Sequence, residues 1–290
     1  MENDGRLARE GIPALFDLSK SAYAALFMTA VWPWDALGGI ETFIRSLLAA
    51  AGGPAILSPV PEGTIVEGEV WIGPDCRIEP GAYIRGPAWI GRGSEIRQGA
   101  YLRGAVLSGD GAVLGHCSEF KNCVLLEGAQ APHFNYVGDS VLGLGAHIGA
   151  GVILSNLRLD KASVRVRLQP PGSQGSQGSQ DRQGSQDRQG SQGSQGSQGS
   201  QGSQDSQGSQ NRQGSQVAGN SGKVSDVRSD IPSGEWVDTG LRKFGAILGD
   251  HCEVGCNSVL NPGTVLGERC TVMPLSRVRG LWPAGSRIAG

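Results

Sequence analysis

The sequence predicts a mainly β chain, a left-handed parallel β-helix, and three observations carry that expectation. An apolar residue recurs every six positions over long stretches, and a small residue sits two positions before most of them. The chain also has 47 glycines and only 6% aromatic residues, which suits a repetitive β architecture better than a layered core. A period of six fits neither an α-helix nor an alternating strand. It fits short strands joined by tight corners, with three hexapeptides closing one triangular coil.

The repeat runs through Val66, Ile72, Ile78, Ile84, Ile90, Ile96 and Leu102 without a miss. Ser108 takes one place, and Leu114, Phe120 and Leu126 then resume the phase. The pattern breaks at "PHFNYVGDS", residues 132–140. It returns at Leu142, Ile148 and Leu154, and again at Leu248, Val254, Leu260, Leu266 and Val272. The apolar residue is expected to point into the prism. The small one, as at Val70, Cys76, Ala82, Cys252 and Cys270, is expected where the chain turns. Glycines just after a beat, such as Gly73 and Gly91, suggest corners that need positive φ.

Around this repeat the chain divides into a helical segment over 1–60, a β-helix over 61–168 and 224–290, and an insert over 169–223. Residues 13–50 read as two short helices broken near Pro33. They are expected to cap the open end of the coil stack or to pack on its side, because a solenoid end exposes core. Residues 172–216 are almost pure "GSQ" and offer no apolar side chains to bury. Their ordering entropy goes unopposed, so disorder is predicted.

Composition excludes some functions. A net charge of −2 argues against a general nucleic-acid binder. The opening "MENDGRLARE" has no apolar run behind it, and "SAYAALFMTAVWPW" is too short to span a bilayer. A cytoplasmic protein with no membrane partner is the expectation. Six cysteines without a CxxC pair read as reduced and structural.

Residues eighteen apart should stack in neighbouring coils, which places Glu67, Arg85, Arg103 and Lys121 on one outward ladder. Strands lie about 4.8 Å apart, so three cations in line repel one another unless an anion bridges them. Two readings follow: a solvated ladder in which Glu67 neutralises Arg85, or a phosphate site centred on Arg103 and Lys121. An outward loop at 132–140 would bring His133 and Tyr136 beside this face, His133 as a general-base candidate. Histidine spacing lacks the H-x4-H pair of a γ-type carbonic anhydrase, which uses the same coil, so no metal is expected.

Three stretches, "SEFKN" (118–122), "HFNYVGDSVLG" (133–143) and "HIGAGVILSN" (147–156), with "KFGAILGD" (243–250), resemble a known family. It is the acetyltransferase half of the bifunctional enzymes that make UDP-N-acetylglucosamine. The resemblance implies N-acetyl transfer from acetyl-CoA to an amino-sugar phosphate, or to a nucleotide-linked amino sugar, by a homotrimer. It implies His133 as the catalytic base, and Arg103, Lys121 and Tyr136 as holders of the sugar phosphate. Asn156 matches a site asparagine, and Lys243 a lysine given by a neighbouring subunit. Ala150 and Cys256 fall where the acyl donor is held. His147 stands where the family has an asparagine that touches the sugar. Uridyl transfer is not expected, since the family's glycine-rich nucleotide loop has no counterpart here. The competing expectation is a non-catalytic trimeric β-helix that binds a sugar nucleotide or a protein.

Overall fold

The computed structural model describes residues 14–168 and 236–289. The disorder expected of 169–223 and the first thirteen residues of the helical segment lie outside the described residues. What is described is a left-handed parallel β-helix. Its interior is lined by the six-residue beat: Ile72, Ile84, Ile90, Ile96, Leu102, Leu114 and Phe120 are wholly buried, as are Leu142, Ile148, Leu154, Leu248 and Leu260.

The coils stack into three faces. The first passes through β1 (Tyr83–Arg85) and the leading halves of β2 (Tyr101–Ser108), β3 (Glu119–Leu125) and β5 (Tyr136–Leu142). The second takes the trailing halves of the same three strands, which run unbroken through the corner. The third, an eight-stranded parallel sheet, includes β4 (Gln130–His133).

Two expectations about the repeat are corrected. Leu126 does not continue the phase. Leu102 pairs with Phe120 at eighteen residues, but Leu107 pairs with Val124 at seventeen, because the register shifts between Lys121 and Cys123. Asn122, at φ 47°, turns alone the corner that Gly104 and Ala105 share one coil earlier. Leu125 therefore points inward, and Leu126 faces the outer apolar layer.

Nor is there an outward loop at 132–140. β4 and β5 are separated by two corner residues, and Ala131 and Val137 fill the interior positions. Asn135, 3% exposed, takes the small residue's place. Its Oδ1 accepts from the His133 peptide at 3.1 Å and its Nδ2 donates to the Gly149 carbonyl at 2.8 Å, so this buried amide is satisfied.

The glycines after a beat also act differently from expectation. Gly91 lacks positive φ, yet a Cβ there would lie 2.4 Å from the Gly109 carbonyl carbon. Close approach of the next coil, rather than backbone freedom, demands glycine.

The helical segment packs on the side of the coils. A short helix, α1 (Ala25–Met28), precedes a one-turn 3-10 helix at Pro33–Asp35 that runs into α2 (Ala36–Ala50). Pro33 suits a helix start because its missing N–H would be unpaired there in any case. The Asp35 carboxylate accepts from the peptides of Val31 (3.0 Å) and Trp32 (2.8 Å). In α2 the residues Leu37, Ile40, Ile44 and Leu48 form one helical stripe, buried among Leu107, Val124, Val141 and Ile247. Each such side chain contributes about 1.5–3 kcal/mol by leaving water. This layer explains why the outward residues of the second face are apolar, and an Ile44→Asp change would break it.

Candidate active site

Glu67, Arg85, Arg103 and Lys121 occupy one register in four successive coils, as their spacing predicts. Gly138 holds the next position. The Tyr136 phenol folds over it: a Cβ at Gly138 would lie 2.5 Å from Tyr136 Oη. Asn156 Nδ2 donates to that hydroxyl at 3.1 Å and also to Asp139 Oδ2. Arg103, Lys121, Tyr136 and Asn156 are thus brought together on the first face.

The sequence reading missed the group that joins them. Asp139, 6% exposed, lies at the second shortened corner, with φ 47°. Its carboxylate accepts from Lys121 Nζ at 3.3 Å, from Asn122 Nδ2 at 3.0 Å and from Asn156. Glu119 does the same for Arg103, accepting from Nε at 2.6 Å. The ladder cations at these two rungs are therefore answered by the chain's own carboxylates. The seventeen-residue step from Asn122 to Asp139 was the available signal, since it stacks the two corners. Burial, then the charges of Glu119 and Asp139, holds the Tyr136 phenol above the ordinary tyrosine range. It remains a proton donor at neutral pH.

His133 ends β4 at the corner next to this face and is exposed. His116 lies beside it one coil earlier, its Nδ1 2.9 Å from the Gln98 carbonyl and its ring against the exposed Phe134. On later coils the same corner carries Ala150 and then Cys256. The Gly151 peptide donates to the His133 carbonyl at 3.0 Å, and the Asn257 peptide to the Ala150 carbonyl at 2.8 Å. His133, Ala150 and Cys256 thus line one corner, with the Cys256 thiol exposed.

Comparison with known proteins matches the coils that lead into this geometry. Residues 69–104 match the family described as bacterial transferase hexapeptide (six repeats). That stretch carries hexapeptide repeats of this description. The chain is 39% identical over 138 residues to the bifunctional protein GlmU of Methanococcus maripaludis, which covers 47% of this chain and 32% of that protein. It is 25% identical over 161 residues to a bifunctional sugar-1-phosphate nucleotidylyltransferase/acetyltransferase of Sulfurisphaera tokodaii, covering 56% and 24%. The GlmU of a Chelativorans species is 38% identical over 95 residues, 33% and 16%. The chain spans about a third or less of these relatives' length. They carry the names of the family that the motifs resemble.

Two predicted residues stand apart from the first-face cluster of the hexapeptide coils. His147 lies on the third face between Gln130 and Glu253, its Nδ1 2.9 Å from the Glu253 carboxylate. Lys243 is exposed and bridges Leu157, next to Asn156, whose carbonyl accepts from the Phe244 peptide at 2.9 Å. Beside the ladder opens a cavity of about 590 Å³, bounded by Arg85, Tyr101, Arg103, Lys121 and Asp139, with Glu41 of α2 on its outer wall. Asn122 ties that wall to the site, its Nδ2 3.3 Å from the Leu37 carbonyl. Among the described residues no group of three or more His, Cys, Asp or Glu is placed to hold a metal ion, and no helix is long and apolar enough to cross a membrane.

Proposed function

We propose that the protein is a coenzyme-A-dependent N-acyltransferase whose acceptor is an amino-sugar phosphate or a nucleotide-linked amino sugar. One observation carries the reading: the first face bears Arg103 and Lys121 beside a cavity, and the corner at its other edge presents an exposed histidine. The name of the Sulfurisphaera tokodaii relative, which includes acetyltransferase, supports it.

In this reading Arg103 and Lys121 meet the phosphate, Arg103 as a planar fork and Lys121 as a point charge. Tyr136 and Asn156 fix the sugar beside them. His133 takes a proton from the amine as its nitrogen attacks the thioester carbonyl of acetyl-CoA. The tetrahedral intermediate collapses, the C–S bond breaks, and the thiolate leaves to collect a proton. The donor lies along the corner of Ala150 and Cys256. Lys243 completes the site from a neighbouring copy in a homotrimer, and the protein works in the cytoplasm. His147, held by Glu253 on another face, meets the sugar only across such an interface.

Arg103 and Lys121 are already paired, and that favours a second reading, a β-helix that binds without catalysing. Incubation with acetyl-CoA and a panel of amino-sugar phosphates, with products read by mass spectrometry, separates the two. An N-acetylated sugar supports the enzyme. Binding of the same sugars without any product supports the binding module.

A further inference from the structure

The three cations of the ladder are not equivalent. Arg103 is bound by Glu119 and Lys121 by Asp139. Arg85, which lines the same cavity, makes no ion pair or hydrogen bond through its guanidinium to any described residue. Its ladder neighbour Glu67 is engaged elsewhere, accepting from the Tyr83 hydroxyl at 2.7 Å. Glu41, the carboxylate on the wall of α2, is held by Arg45 at 3.0 Å. The ladder cation without a direct partner among the described residues therefore sits at the end of the cavity away from Lys121.

That position has a length attached to it. Arg85 and Lys121 are two coils apart in register, about 9.6 Å at the usual strand spacing. A monophosphate seated between Arg103 and Lys121 bridges adjacent coils and leaves Arg85 without an anion. A diphosphate continues the negative charge along the ladder towards it. At the same end Tyr101 is 37% exposed, with Arg103 over its ring at 6.0 Å and Tyr83 edge-on at 5.4 Å. An exposed aromatic beside an arginine is the pairing on which nucleobases stack.

From this free cation, the length of the ladder and the exposed ring, we infer that the acceptor is a nucleoside-diphosphate-linked amino sugar rather than a sugar monophosphate, with Arg85 as the residue that selects between them. The inference rests on the acyltransferase reading for the word acceptor, but its binding part stands independently.

The test measures dissociation constants of UDP-glucosamine and glucosamine 1-phosphate, by calorimetry at fixed salt, for the full chain and for Arg85→Ala. Arg85 is exposed and outside the core, so the variant is expected to fold, and its melting curve checks this. The wild type should prefer UDP-glucosamine. The variant should lose about tenfold in that affinity, the scale of one charged hydrogen bond, and the preference should narrow. Equal weakening of both ligands, a wild-type preference for the monophosphate, or binding of neither overturns the inference. Turnover assays on the same two sugars keep the readings apart. Arg85-dependent binding without acetylation sinks only the enzyme, and acetylation of the monophosphate alone sinks only the diphosphate.

Discussion

Lys121 and Asp139 face each other across one coil boundary, the ammonium 3.3 Å from a carboxylate that is almost wholly buried. The lysine side chain keeps 22% of its surface and the aspartate 8%. A charge buried to that degree is tolerated because three donors surround it: Lys121, Asn122 and Asn156. The pair therefore does two things at once. It holds together a corner with a residue missing, and it aims a cation into the cavity.

Asp139→Asn should destabilise the protein by about 3 kcal/mol, the low end for breaking a buried pair, since Lys121 can still turn to water. Urea unfolding of Asp139→Asn beside Lys121→Met measures it. A wild-type midpoint for Asp139→Asn would mean that the carboxylate contributes no net stability.

The corner of Asp139 also marks where the sequence stopped being legible. The interior was readable because one residue type must recur wherever the chain re-enters the prism, and Ile84 and Leu248 could be placed from spacing alone. The ladder was readable for the same reason, as long as coils kept eighteen residues. Asn122 removed one residue without leaving a gap in the apolar pattern: Leu125 and Leu126 are adjacent leucines, and either keeps a beat in sequence. Only backbone pairing decides between them. Asp139 lies eighteen residues from Lys121, so the spacing itself pointed to it; the coil there has seventeen, which puts Gly138 on the ladder and Asp139 at the corner beside it. The bond from Asn122 to α2 joins residues 85 positions apart, and no local pattern encodes it.

Ile84→Asp should unfold the coils around it. Ile84 is wholly buried and stacks between Val66 and Leu102. An unpaired carboxylate there costs several kcal/mol, against roughly 0.5–1.5 kcal/mol for the control Ile84→Val. If the aspartate variant melts with the control by circular dichroism, the interior is wrongly drawn.

Alkaline unfolding should report the docking of the helical segment. Burial pushes the Tyr23 phenol up to about 12 from 10, and its oxygen accepts from Trp89 Nε1 at 3.0 Å. Its folded pKa is raised, so its stabilisation is fully present below pH 10 and is lost as pH climbs towards 12. The two-unit span sets a ceiling of about 2.7 kcal/mol. Tyr23→Phe should flatten the fall of stability between pH 10 and 12, followed by urea melts. A variant with the wild-type slope would remove Tyr23 from the account.

His133→Ala should lower acyl transfer by roughly two to four orders of magnitude, the range of a general base. It should leave the melting temperature and assembly almost unchanged, because the imidazole is exposed and the structural bond at this residue belongs to its peptide, which Ala keeps. His116→Ala is the control. That ring is one coil away, bonded to the Gln98 carbonyl, so a general loss of histidine from this corner would affect both variants alike. Lys121→Ala should behave differently again, raising KM for the phosphorylated acceptor more than for acetyl-CoA, because it meets the acceptor as a charge and takes no proton. The three variants must be compared on an acceptor that the wild type demonstrably acetylates. A collapse of kcat in His133→Ala alone, with KM for both substrates near wild type, assigns the proton transfer to this histidine. Wild-type turnover by His133→Ala would remove the base from the corner and leave the cavity as a place that binds sugars without changing them.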